Sequence, residues 1–290
     1  MPIHELPNNP TFANQVQLLE NVTYAAADGE PLKMDLLVPW TTTMMPDHHE
    51  KRPLIVFVQG SSWTRPDMGR QIPQLVSFAR DGYIVATVRH RSAADGHPFP
   101  AFLEDVKTAI RYLRVNARQY DIDPQRVAVW GTSSGANAAL LVGLTPDDPR
   151  YRTDDFLNES DRVNAVVSCF APTDVKDTFE YTAKAPGSDL LQYCLFGTNK
   201  DKWDDKKKAM SPLYQVKADK EYPPFLLLHG DNDKKVPYDE MESMYTALQK
   251  QGVDVDAYRV KNADHERDFW SPQVYSTIHD FLDKIEKPDK

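Results

Sequence analysis

Hydrophobic residues in this chain come in short unbroken runs, separated by stretches in which they recur every three to four positions. Residues 53–59 (P-L-I-V-F-V-Q) and 83–89 are continuous apolar runs bounded by Pro or Gly, as expected of strands buried on both faces. Between them, residues 72–80 read as a helix stopped by Asp81-Gly82. Over residues 100–117, apolar side chains at 102, 103, 106, 109, 110, 113 and 117 form one helical stripe, with acids early and arginines late to match the helix dipole. The alternation continues with strands at 127–130, 162–170, 224–229 and 254–260, and helices at 136–141, 238–251 and 272–285. Strand and helix in this rhythm predict right-handed crossovers and a mostly parallel, twisted sheet with helices on both faces. Ligands then gather at the carboxyl ends of the strands.

Four stretches break the rhythm. Residues 1–20 hold three prolines and little periodicity and read as an irregular arm. Residues 21–25 and 31–38 form an antiparallel ribbon turned by Asp28-Gly29. Residues 40–52, with the pair His48-His49, read as a solvated loop, since no third metal ligand stands nearby. Residues 171–222 are too long for a structureless loop in a compact domain, so a helical insert or lid is expected there. Its cluster Lys206-Lys207-Lys208, offset by Asp204 and Asp205, reads as a solvated helix face. The whole chain, 1–290, is expected to form one domain.

Composition narrows the partners. The net charge of −9 argues against nucleic acid or an anionic membrane, and weakly favours a neutral or cationic ligand. The first residues lack a basic region followed by an apolar stretch, and no run of about 18 apolar residues occurs, so a cytoplasmic protein is expected. Cys169 and Cys194 form neither a C-x-x-C pair nor a zinc spacing, and are expected to be reduced and at least partly buried. No metal and no cofactor is called for. The oligomeric state is left open, a homodimer being one option.

The candidate chemistry centres on Gly131-Thr132-Ser133-Ser134-Gly135, between the strand at 127–130 and the helix at 136–141. A serine with glycine two residues before and two after, on a strand-to-helix turn, is the nucleophile elbow of α/β-hydrolases. Only Ser133 has both glycines; Ser134 is the residue after it, whose N–H can bind an oxyanion. A serine hydroxyl needs a base, and the base an orienting carboxylate, which in this fold follow in the order Ser, Asp or Glu, His. Asp233 lies just beyond a late strand and is the carboxylate chosen, with Asp231 as the alternative. His265 follows the final strand and is the base; the later His279 falls inside the last helix, where packing or surface is the better reading. A second oxyanion donor is expected from Gln59-Gly60-Ser61-Ser62-Trp63, the loop after an early strand.

Several motifs together resemble bacterial esterases of the α/β-hydrolase superfamily near the hormone-sensitive-lipase group. The closest likeness is to feruloyl and acetyl-xylan esterase-like proteins, in which Q-G-S-x-W stands for H-G-G-G-W. The motifs are Gln59 to Trp63, the stretch 99–106, Gly131 to Gly135, Asp233 with Val236-Pro237, and His265 with Phe269-Trp270. The resemblance implies the α/β-hydrolase fold, a triad of Ser133, Asp233 and His265, and an oxyanion hole lined by Ser61, Ser62 and Ser134. Trp63 and Trp270 stand as candidate substrate-binding residues. Such sequences commonly carry glycine after the histidine, where this one has Glu266-Arg267. The expected activity is cofactor-free hydrolysis of small acyl esters, hydroxycinnamoyl or acetyl. A peptidase on the same fold and a non-catalytic small-molecule receptor are the alternatives.

Overall fold

The computed structural model describes residues 3–41 and 50–286. The reading of His48-His49 falls outside them. Eight strands make one sheet in the order β1-β2-β4-β3-β5-β6-β7-β8. The antiparallel ribbon is β1 (Val16–Ala27) and β2 (Glu30–Pro39), and β2 pairs antiparallel with β4 (Ile84–Val88). All later pairings are parallel, through β3 (Arg52–Val58), β5 (Ile122–Thr132), β6 (Ala165–Cys169), β7 (Phe225–Gly230) and β8 (Val255–Val260). This is the α/β-hydrolase architecture. No described helix is long and apolar enough to cross a membrane.

The two faces of the sheet explain the unbroken apolar runs. Along β3, Leu54, Val56 and Val58 point to one core, shared with α2 (Ala101–Val115), α3 (Ser134–Leu144) and α7 (Tyr238–Lys250). Ile55 and Phe57 point to the other, under α1 (Ile72–Arg80) and α8 (Pro272–Glu286). Both alternating sets are buried, so no polar position survives from Leu54 to Val58.

Three differences from the sequence reading have physical causes. The arm ends at Gln15 rather than near 20, because β1 begins at Val16; its bulges between Leu19 and Val22 and between Thr23 and Ala25 break the alternation. On α2, Lys107 and Arg111 point inward and are fully buried, with Lys107 Nζ 2.8 Å and Arg111 Nη1 3.4 Å from the buried Asp161 carboxylate. These charges clamp the loop before β6 onto α2, where opposite charge stands in for lost solvent. The lysine cluster is not a free solvated face either. Lys206 Nζ donates to the Phe196 carbonyl at 2.6 Å, and Lys207 lies 5.5 Å over the Trp203 ring.

Between β6 and β7 the chain leaves the sheet for α4 (Val175–Tyr181), α5 (Ser188–Phe196) and α6 (Trp203–Met210). These helices lie over the carboxyl ends of the strands, within the range expected of the insert. Cys169 is buried in β6 and Cys194 half-buried in α5, both unpaired.

Candidate active site

Ser133 sits on the turn from β5 to α3 with φ 51° and ψ −124°, a conformation a residue with a Cβ adopts only under compulsion. The compulsion comes from backbones in direct contact. A Cβ on Gly131 would lie 2.1 Å from the Gly135 carbonyl oxygen, and one on Gly135 would lie 2.0 Å from that of Val58. Only glycine lets β3, the turn and the first turn of α3 approach so closely. The Ser133 N–H donates to the Cys169 carbonyl at 2.9 Å, pinning the elbow to β6.

His265, in the loop between β8 and α8, places Nε2 2.9 Å from Ser133 Oγ and Nδ1 2.7 Å from Asp233 Oδ2. Asp233 follows β7, and its Oδ1 accepts the N–H groups of Lys235 and Val236 at 2.8 and 2.9 Å. Burial by itself raises the Asp233 carboxyl, but hydrogen bonds from His229, His265 and Val236 outweigh it and hold the group well below the usual carboxylate range. An ionised carboxylate only accepts, so His265 carries its proton on Nδ1 and turns the Nε2 lone pair toward the serine. Asp231 serves elsewhere: its Oδ1 accepts the Asn262 N–H at 2.5 Å, shaping the turn beside β8. His279 stacks on Phe78 with ring centroids 4.4 Å apart, far from this chemistry.

The oxyanion loop differs in detail from the expectation. Ser62 and Trp63 both have positive φ, 53° and 56°, so the loop curls over the elbow in a conformation that two side-chain-bearing residues rarely share. The Ser61 N–H is taken up by Ser134 Oγ at 2.9 Å, and the Gly60 N–H by Thr132 Oγ1 at 2.8 Å. No described hydrogen bond uses the Ser62 N–H. The Ser134 N–H, first in α3, has no intrahelical acceptor. The Ser62 and Ser134 amides are therefore candidate oxyanion donors, while Ser61 holds the loop against Ser134.

Ser133 and His265 open onto a cavity of about 460 Å³. Its scaffold side includes Ser62 and Trp63, and its far wall comes from the insert through Thr178, Phe179 and Leu191. Trp270 forms no part of it. Its ring stacks on Tyr275 at 5.1 Å and meets Phe170 edge-on at 5.9 Å, while Phe170 meets the His265 ring at 4.7 Å. Trp270 therefore supports the packing behind the base; closeness in sequence to His265 says nothing of where its side chain points. Of the other insert aromatics, Phe196 packs behind Phe179, and Tyr193 and Trp203 grip Lys200 at 4.9 and 5.2 Å. The Tyr181 hydroxyl donates to the main-chain carbonyl of Asp233 at 3.2 Å.

Three further residues escaped the sequence reading. Asn137, fully buried on α3, accepts from Trp63 Nε1 at 3.2 Å and donates to the carbonyls of Pro172 and Met210 at 3.0 Å each. The signal was there in Ala136-Asn137-Ala138, a lone amide in an apolar helix. Glu240 accepts from the N–H groups of Thr173 and Asp174 at 2.5 and 2.9 Å and from the Thr178 hydroxyl at 2.5 Å, docking α4 on α7. Burial raises its carboxyl to about 7, against the pull of these donors. His229, in the last turn of β7, directs Nε2 toward Asp233 Oδ2 and the Val236 carbonyl, each at 3.2 Å. Facing two acceptors, that nitrogen carries the proton and adds a donor behind the carboxylate.

Comparison with known proteins identifies the family. Esterase LipC of Mycobacterium tuberculosis is 29% identical over 214 residues, covering 73% of this chain and 52% of LipC. Esterase LipQ of the same organism is 27% identical, covering 81% of this chain and 56% of LipQ. The chain thus spans about half the length of these curated relatives. A truncated carbohydrate esterase from gut microbiota superposes with a TM-score of 0.79 at 22% identity, over 96% of this chain and 99% of that one. The propionate-bound esterase 2 of Thermogutta terrifontis superposes at 0.72, also with 22% identity, over 95% of each chain. These superpositions establish a shared fold. The BD-FAE family model matches residues 42–248, which include the oxyanion loop, the elbow and the Asp233 loop. The chain is a member of the BD-FAE family.

Proposed function

We propose that this protein is a carboxylic ester hydrolase in which Ser133 is the nucleophile, His265 the general base and acid, and Asp233 the residue that orients it. The observation that carries this reading is the continuous hydrogen-bonded line from Ser133 Oγ through both nitrogens of His265 to Asp233, with Ser133 and His265 lining a cavity. Ser133 Oγ attacks the ester carbonyl carbon as its proton passes to His265 Nε2. The resulting oxyanion faces the Ser62 and Ser134 amides, and His265 then protonates the departing alcohol. Water repeats the sequence on the acyl-enzyme and releases the acid.

Small acyl esters, hydroxycinnamoyl or acetyl, fit a cavity of this size, and the aromatic lining by Trp63 and Phe179 supports the hydroxycinnamoyl option. Relatives named as esterases support the reaction class. The test is a panel of p-nitrophenyl acyl esters and methyl hydroxycinnamates with wild type and Ser133→Ala. Loss of turnover by three or more orders of magnitude in a folded variant is expected. Turnover near wild type in that variant would rule the assignment out.

A further inference from the structure

We infer that the space beside His265, on the side away from the acyl cavity, is an anion subsite, and that esters whose alcohol portion carries a carboxylate are preferred substrates. The inference rests on the ester-hydrolase reading above and adds a substrate class to it. A second cavity of about 260 Å³ shares Arg70, Lys235, His265 and Glu266 with the first. It adds Lys234, Asp264 and Arg267, and contains neither Ser133 nor any residue of the insert. Because His265 delivers its proton to the leaving oxygen, the alcohol portion must lie against the imidazole. The second cavity continues from there.

Its charges are unevenly committed. The Asp264 carboxylate accepts the N–H groups of His265 and Lys234 at 2.7 and 3.0 Å, so backbone donors offset its charge. Lys234 Nζ donates to Asn232 Oδ1 at 2.5 Å. Glu266 Oε1 lies 3.1 Å from Arg70 Nε. No hydrogen bond or ion pair among the described residues engages the side chains of Lys235 or Arg267, and both are exposed. In a chain of net charge −9, two uncommitted cations beside the base reverse the local field, contrary to the neutral or cationic ligand that overall charge favours.

Glu266 supplies an independent sign. Its φ is 70°, a left-handed conformation that strains a side-chain-bearing residue and costs glycine almost nothing. That strain places a carboxylate against Arg70, holding the guanidinium on the boundary between the two cavities. A glycine there would leave Arg70 unanchored.

Three aryl acetates that differ in charge decide the matter, each rate taken relative to that ester's uncatalysed hydroxide hydrolysis to correct for leaving-group acidity: meta-acetoxybenzoate, its neutral amide, and the meta-trimethylammonium phenyl ester. At low salt, kcat/KM is expected to be roughly three- to twentyfold higher for the carboxylate than for the amide, and lowest for the cation. The preference should shrink as ionic strength rises to about 0.5 M. Lys235→Gln with Arg267→Gln should bring the carboxylate-to-amide ratio close to one, and Glu266→Gly should lower it. Should the double variant not fold, each single variant is expected to lower the ratio at least about twofold. Equal rates for all three esters at low salt, or a ratio untouched by the substitutions, would overturn the subsite and leave the esterase standing. Failure of folded wild type to hydrolyse any of them would overturn the ester-hydrolase reading itself.

Discussion

The indole of Trp63 donates to the side-chain carbonyl of Asn137 at 3.2 Å, so the loop after β3 is hydrogen-bonded to α3 one turn beyond Ser133. The same amide also holds Pro172 and Met210, at the two ends of the segment that carries α4 to α6. Asn137→Ala strands three buried polar groups at once. The expected cost is about 2–4 kcal/mol in denaturant unfolding, with activity falling in the fraction that remains folded. A loss below about 0.5 kcal/mol would mean that these contacts are not made.

Asp233→Asn is expected to reduce turnover by several orders of magnitude while Asp231→Asn does little. The first removes the charge facing the imidazolium and favours the wrong tautomer, whereas the second only weakens a turn. Parallel kcat measurements on the two folded variants check this. A larger loss for Asp231→Asn would exchange their roles.

Stability should fall on both sides of a mildly acidic optimum, for two separate reasons. Asp233 is held below its ordinary pKa in the folded state, so it contributes stability above about pH 4 that is lost as pH falls further. Glu240 is raised to about 7, so its contribution is complete below its ordinary value near 4.5 and is lost as pH rises through about 7. Melting temperatures across pH should show a shallower acid limb for Asp233→Asn and a shallower alkaline limb for Glu240→Gln. Limbs unchanged in both variants would place the titrating groups elsewhere.

Replacing insert residues that face the cavity should alter substrate choice more than stability. Phe179→Leu and Leu191→Ala reshape the wall opposite Ser133 without touching the catalytic line. The ratio of kcat/KM for hydroxycinnamoyl over short alkanoyl esters is expected to drop about three- to tenfold. Equal losses on both substrates would make the insert a structural cover.

The sequence was most legible where one physical constraint acts alone. α1 lies at residues 72–80 as read, because a single amphipathic stripe sits between a leading Pro and a closing Asp-Gly. Ser133, Asp233 and His265 were legible because glycine spacing and chain order constrain them, and the structure brings the three side chains together. Legibility failed where two constraints compete. The burial of Lys107 and Arg111 was not read at all, since nothing local reveals a loop folding over them with Asp161. Trp270 looked like a pocket wall, yet aromatic packing turns it behind Phe170. Ser61 looked like an oxyanion donor, but the Ser134 hydroxyl claims its amide.

The Tyr181 hydroxyl ties α4 to the main chain of Asp233. A displacement of α4 away from that turn would break this bond, and the turn is the one presenting the Asp233 carboxylate. The position of α4 and the order of the Asp233 turn are therefore coupled: a ligand that favours the docked α4 also steadies the turn, and a stiffer turn favours the docked α4. Linkage is reciprocal, and its size is bounded by one hydrogen bond, about 0.5–1.5 kcal/mol, or roughly a two- to tenfold bias. Under the ester-hydrolase proposal, a state in which α4 has left this turn is the one whose carboxylate is least firmly held.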